Sequence, residues 1–249
     1  MIVNYFRKLT TRKRQLRYDI HLGMTLAFIA GAMNAGGFIA VQQYTSHMTG
    51  IVSNMAGGIA VGNFNFFWVS LGAMVSFIFG AGLTEMLVNY GCSRGMRSEY
   101  ALPLIVESLL FLVFAKWGPS LHHLPDFFMS VTIVLLCFMM GMHNSVITHI
   151  SKAVIRTTHM TGIVTDIGIE LGKLFYWNRH VDVSDVNFVK ANRFKLYLLS
   201  GLLCMFFIGG IVGAYGFKFY GYVVTYPLAA ILFLTAIIPV MDDIRKKFR

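Results

Sequence analysis

Charge is scarce in this chain: only 13% of its residues are Asp, Glu, Lys or Arg, against about a quarter in ordinary globular domains. Acidic residues are the rarest of these, 11 against 21 basic ones. Proline is held to 5 residues and cysteine to 3. Cys92, Cys137 and Cys204 lie far apart, so neither a disulfide framework nor a metal-ligand spacing can be read, and they count as small apolar filler. No H-E-x-x-H, G-x-S-x-G or paired-aspartate signature occurs, so an enzyme is disfavoured and no catalytic residue, metal or cofactor is expected. The net charge of +10 raises the question of nucleic acid. A nucleic-acid binder sets basic and aromatic residues together on a wet face; here the basic residues fall between apolar runs, which excludes that partner.

What is abundant is apolar: 56% of the residues are hydrophobic, with 24 Gly, 22 Phe and 15 Met, the small and soft residues that helices use to pack in lipid. About 20 apolar residues suffice for a helix to cross the hydrocarbon core. Five runs qualify, Ile20–Val41, Phe66–Val88, Phe127–Ile150, Leu196–Phe217 and Tyr222–Met241. Ala101–Ala115 is shorter and contains Glu107, but Tyr100 and Trp117 at its ends suit two interfaces. The fold class expected is an all-α membrane protein of about six transmembrane helices. A basic tail, 1–19, precedes a single transmembrane domain, 20–249, and the lipid bilayer is the first partner.

The first run follows Arg7, Lys8, Arg12, Lys13, Arg14 and Arg17 but is too long for a signal-peptide core and lacks a small-residue cleavage site. With both termini cytoplasmic and six spans, the inner segments 1–19, 89–100, 151–195 and 242–249 hold 19 of the 21 Lys and Arg, leaving only Lys116 and Lys218 outside. That is the asymmetry of the positive-inside rule. Thr49–Gly62 and Met160–Trp177 are also helical in pattern. Counting them as spans gives eight and puts Arg94, Arg97, Lys152, Arg156 and Lys218 outside, so six spans with two re-entrant or interfacial helices is the expectation.

An internal repeat organises the chain. Six consecutive residues, His47 to Val52, recur as His159 to Val164, within the longer echo of Tyr44–Asn54 by Arg156–Asp166. Upstream, Gly31-Ala-Met-Asn34 is echoed by Gly141-Met-His-Asn144. Repeat one covers 20–117 and repeat two 127–241. Three crossings per half reverse the second half relative to the first, so an inverted repeat of the kind common in transporters is expected, with a short re-entrant or broken helix at each Thr-Gly motif.

These motifs, Gly31-x-x-Asn34, the block Tyr44 to Asn54 and the returning Arg156 to Gly162, resemble the YoaK-like bacterial membrane proteins of unknown function. The resemblance covers essentially the whole chain after the basic tail and implies a multi-pass protein of the bacterial inner membrane. It implies no substrate and no catalytic residue.

Irregular backbone at membrane depth needs a protein or water-lined surrounding. Thr49-Gly50 and Thr161-Gly162 are therefore expected to open short helices, their hydroxyls capping free N–H groups and their positive ends facing a small polar or anionic solute. Asn34 and Asn144, with His143, should line the same region. Asn54 shares a helix face with His47, as Asp166 does with His159. Ionisable groups at depth are functional candidates by default, so Glu107, Asp166, His143, His47 and His159 are candidates for carrying a proton; pairing of Glu107 with His143 is the structural alternative. Gly72, Ser76 and Gly80, and Gly209 and Gly213, have small-xxx-small spacing for helix packing, and glycine stripes leave room for a homodimer. The function expected is a secondary transporter of a small solute; a channel or a non-transporting scaffold is the alternative.

Overall fold

A computed structural model of the chain describes residues 16–96, 100–119, 125–150, 160–176 and 188–247. Among them the regular structure is entirely helical. In chain order the helices are α1 (Leu16–Val41), α2 (Met48–Ala60), α3 (Phe64–Ser93), α4 (Ala101–Trp117), α5 (Pro125–Ile150), α6 (Met160–Phe175), α7 (Arg193–Tyr220) and α8 (Thr225–Lys247), with a 3-10 turn at Gly221–Val224 between the last two. Four helical stretches are long and apolar enough to cross a bilayer: Leu16–Val41, Phe64–Ser93, Ser130–His149 and Arg193–Met241. The last is broken at Gly221, whose φ of 60° lies in the left-handed region that glycine enters without steric cost. At 17 residues, α4 is shorter than α1, α3, α5, α7 and α8. Phe79 and Met86 on α3 and Phe207 and Phe219 on α7 point outward, exposed, as side chains facing lipid do.

Helix packing crosses between the halves. α1 lies chiefly on α7, α5 on α3, and α4 on α8. The short α2 packs on α3 as α6 packs on α7, and α1 touches α5. Every one of these contacts maps onto another, or onto itself, when the two halves are exchanged. The correspondence reaches single residues. A side chain at Gly31 would strike the Phe206 carbonyl of α7, and one at Gly141 would strike the Phe77 carbonyl of α3. Gly209 meets the Phe28 carbonyl as Gly80 meets that of Phe138. Asn63 caps α3 by accepting from the Phe66 N–H, and Asn192 caps α7 by accepting from that of Lys195. Small residues at these points let backbones approach closely, which is how helices gain contact where lipid removes the hydrophobic drive. The small-xxx-small positions 72, 76, 80, 209 and 213 all lie in these crossings.

Candidate functional site

Where α1 ends, Gln42 turns into the left-handed region, φ 53°, its N–H still bonded to the Phe38 carbonyl. The chain folds back so that Ser46 donates to the Asn34 side-chain oxygen from both its hydroxyl, 2.8 Å, and its backbone N–H, 3.3 Å. With that oxygen occupied, the Asn34 amide offers its NH2 group to the surroundings. Tyr44 stacks on Phe38 with ring centroids 4.5 Å apart. α2 then starts at Met48.

These turns enclose a cavity of about 370 Å³ lined by Asn34, Tyr44, Ser46, His47, Met48, Thr49, Phe77, Asn144, Met160, Thr161, Gly162 and Phe206. Eight of these form four pairs related by the repeat: Asn34 with Asn144, Met48 with Met160, Thr49 with Thr161, and Phe77 with Phe206. The two halves therefore meet at one chamber, each contributing the start of its short helix. The Gly-x-x-Asn motif acquires a physical meaning here. Its glycine makes the close helix crossing on a phenylalanine carbonyl, and its asparagine, about one turn along, reaches the chamber beside that same phenylalanine.

The structure brings Asn34, Thr49, Asn144, Thr161, Gly162 and His47 of the sequence candidates to the chamber. Gly50 lies one residue behind the lining, with the His47 ring 3.4 Å from where its Cβ would be. Asn54 sits further along α2, half-buried and outside the chamber. Asp166 is 42% exposed and pairs with Lys195 of α7 at 3.1 Å. His159, with Arg156, Thr157 and Thr158, lies outside the described residues. The expected threonine cap on α2 is not formed: His47 occupies the cap position and makes no side-chain cap bond. Thr49 already stands in the first turn, so the N–H groups that open α2 gain no hydroxyl from it. In α6 the Thr165 hydroxyl donates to the Thr161 carbonyl, 2.8 Å.

Behind the chamber, next to Asn144, His143 and Glu107 form a buried pair, 1% and 0% exposed, with Nδ1 and Oε1 2.6 Å apart. The other ring nitrogen, Nε2, lies 2.9 Å from the Leu26 carbonyl of α1. Of the proton-carrying candidates among the described residues, this pair alone is enclosed. At the far end of α6, Glu170 joins that helix to α7 by accepting from the Asn192 N–H, 2.7 Å, and from the Lys173 ammonium, 2.9 Å. The Asn192 N–H first, and then Lys173, hold its carboxyl below the usual carboxylate range.

Sequence reasoning missed Phe77 and Phe206. The signal was present, because Gly72-x4-Phe77-x2-Gly80 recurs as Gly201-x4-Phe206-x2-Gly209. Tyr44 and Ser46 lay within the noted motif, yet their route back to α1 depends on the turn at Gln42. Among the described residues no group of three or more His, Cys, Asp or Glu gathers to hold a metal. A family model described as "Protein of unknown function (DUF1275)" matches residues 22–238. No curated protein and no solved structure matches the chain.

Proposed function

Because the chain belongs to the DUF1275 family, the YoaK-like family its motifs resemble, and that family carries no assigned activity, we propose a function from the chamber itself. The protein is a secondary transporter of a small polar or anionic solute, working by alternating access between two halves of opposite orientation in the bacterial inner membrane. The observation that carries this reading is the paired lining: both helix starts, at Met48-Thr49 and Met160-Thr161, both asparagines and both phenylalanines converge on one cavity.

Six crossings, α1, α3, α4, α5, α7 and α8, with both termini cytoplasmic, fit the placement of the Lys and Arg residues. On that count each half crosses three times and the second is inverted, which sends α2 and α6 toward the chamber from opposite faces. The chamber's described lining carries no Asp, Glu, Lys or Arg. Amide and hydroxyl groups and two helix starts provide hydrogen bonds and a positive potential, which suits a polar or singly anionic solute better than a cation. Phe77, Phe206, Met48 and Met160 supply an apolar surround.

Uptake of labelled small carboxylates and neutral polar solutes into proteoliposomes tests the proposal. Accumulation against a gradient that falls when Asn34, Asn144, Thr49 or Thr161 is replaced supports it, and uptake indifferent to all four sinks it. Solute-dependent current without any gradient-coupled accumulation would replace the transporter by a channel. Side-specific labelling that reaches cysteines at positions 49 and 161 from the same face would remove the inverted arrangement.

A further inference from the structure

The Glu107–His143 pair breaks the relation between the halves. Aligning Gly31 with Gly141 sets Met33 opposite His143, and aligning Pro103-Leu104 with Pro227-Leu228 sets Ile231 opposite Glu107. An acid from the first half therefore meets a base from the second, whereas the exchanged positions carry two apolar side chains, Met33 buried and Ile231 partly buried. A packing role is met without ionisable groups at those exchanged positions, so the presence of Glu107 and His143 requires its own explanation.

Hydrogen-bond inventory provides one. The Leu26 carbonyl only accepts, so Nε2 of His143, 2.9 Å away, carries a hydrogen and donates to it. Nδ1 faces Glu107 Oε1 at 2.6 Å, and that bond needs a second hydrogen, held either by Nδ1 or by the carboxyl. Both placements leave the pair neutral, and both let the imidazole tie α5 to α1 and to α4 together. Removing that one proton leaves a ring with a single N–H between two acceptors. It then keeps the bond to Leu26 and sets its lone pair against a buried carboxylate, or it keeps Glu107 and abandons Leu26. Loss of the proton thus costs one of the two interhelical ties and leaves a net negative charge in a fully enclosed place. Glu107 Oε2, also buried, makes no hydrogen bond among the described residues, so nothing on its other side steadies that charge.

Among the described residues, Glu107 is the charged group in contact with the imidazole. On the packed helices the other described titratable or charged groups lie along the axes: Arg17, Tyr18, Asp19 and His21 of α1 stand nine, eight, seven and five residues before Leu26, Lys116 of α4 nine residues beyond Glu107, and Cys137 and His149 of α5 six residues before and after His143. At about 1.5 Å per residue these are roughly 7 to 14 Å away along the helices. Glu85 of α3 is engaged with His149.

We propose that Glu107 and His143 form a proton-binding site whose occupancy decides whether α5 is tied to both α1 and α4, and which thereby couples proton movement to the state of the adjoining chamber. The described arrangement is the proton-loaded one. Asn144, the next residue on α5, carries any shift of that helix directly into the lining. The coupling of protons to solute rests on the transporter reading; the proton-dependent helix ties do not.

The experiment uses the full-length protein in lipid, with Cys92, Cys137 and Cys204 replaced and a single cysteine at Thr49 or Thr161. Maleimide labelling rates are followed from about pH 5 to 9, the range that histidine and shifted carboxyl groups cover. Each rate is divided by that of the same reporter carrying Glu107→Gln, which cancels the titration of the reporter thiol. Glutamine can donate to Nδ1 while Nε2 still donates to Leu26, so this variant retains both ties without the titrating carboxyl. The ratio should stay near one at the acid end and change about fivefold or more toward alkaline pH, the low end of ordinary coupling between sites. The double variant Glu107→Gln/His143→Gln, with neither titrating group, serves as the second denominator and should also lack the pH-dependent transition. A ratio flat across the range for both denominators overturns the proposal. Uptake that persists with flat ratios removes the proton site and leaves the transporter; pH-dependent ratios without any uptake do the reverse.

Discussion

The crossing of α3 on α5 and that of α7 on α1 have the same outline and different chemistry. In the first, the Ser76 hydroxyl donates to the Val134 carbonyl at 2.7 Å and the Thr84 hydroxyl to the Met142 carbonyl at 3.3 Å. The corresponding positions in the second are Met205 and Gly213, and there a side chain at Gly213 would collide with the Ala32 backbone. One crossing is held by hydroxyl-to-carbonyl bonds and the other by closer backbone approach. A repeated fold therefore conserves where helices cross more strictly than how they are joined, which leaves each half free to acquire its own chemistry. Glu107 and His143 use that freedom.

The largest test of the comparison lies at the crossings themselves. Gly31→Leu and Gly141→Leu should each destabilise the protein by about 1–3 kcal/mol or more through overpacking against a backbone carbonyl, read as lower melting temperature and recovery of monodisperse protein in detergent. Equal losses support equivalent crossings; tolerance of one substitution breaks the equivalence. Next come the paired chamber residues. Asn34→Ala and Thr161→Val should each lower solute uptake by about tenfold, the effect of roughly 1.4 kcal/mol for one lost binding interaction. Matching effects at Asn144 and Thr49 would show that the solute is shared between the halves.

A smaller effect separates the two joining chemistries. Thr84→Val removes a single interhelical hydrogen bond and should cost about 0.6 kcal/mol in a membrane setting, whereas Gly213→Val should cost more because it forces two backbones apart. Thermal unfolding of the two variants side by side checks the order. The smallest expected effect concerns the ends of α6 and α7. Glu170 has its carboxyl lowered by the Asn192 N–H and Lys173, so its contribution is present above the ordinary carboxylate range and is lost as pH falls through the lowered value. Glu170→Gln should therefore lower stability at neutral pH slightly and flatten its acid dependence, measured by melting temperature against pH.

Much of this architecture was legible in the sequence. The apolar runs gave helix positions to within a few residues because a hydrocarbon core sets the length of such runs, and repetition of His47–Val52 marked where both short helices begin. The exchange of partners between halves was not legible. Helices such as α3 are apolar all round, so no stripe of polarity reveals which face meets a neighbour. Glu107 and His143 were each visible as costly residues, but their meeting depends on α4 and α5 lying together. Asp166 drew attention for its charge at apparent depth, and its bond to Lys195 depends on where α7 starts.

The exchange of partners also bears on biosynthesis. α1 leaves the ribosome long before α7, its main neighbour, has been made, and α3 must wait for α5. The groove around Gly31 is left to be covered by lipid or by an insertion chaperone until synthesis is nearly complete. The first half is thus a nascent fragment whose internal packing is limited to α2 and α4 against α3, and the native state is completed late, when α7 and α8 close on α1 and α4.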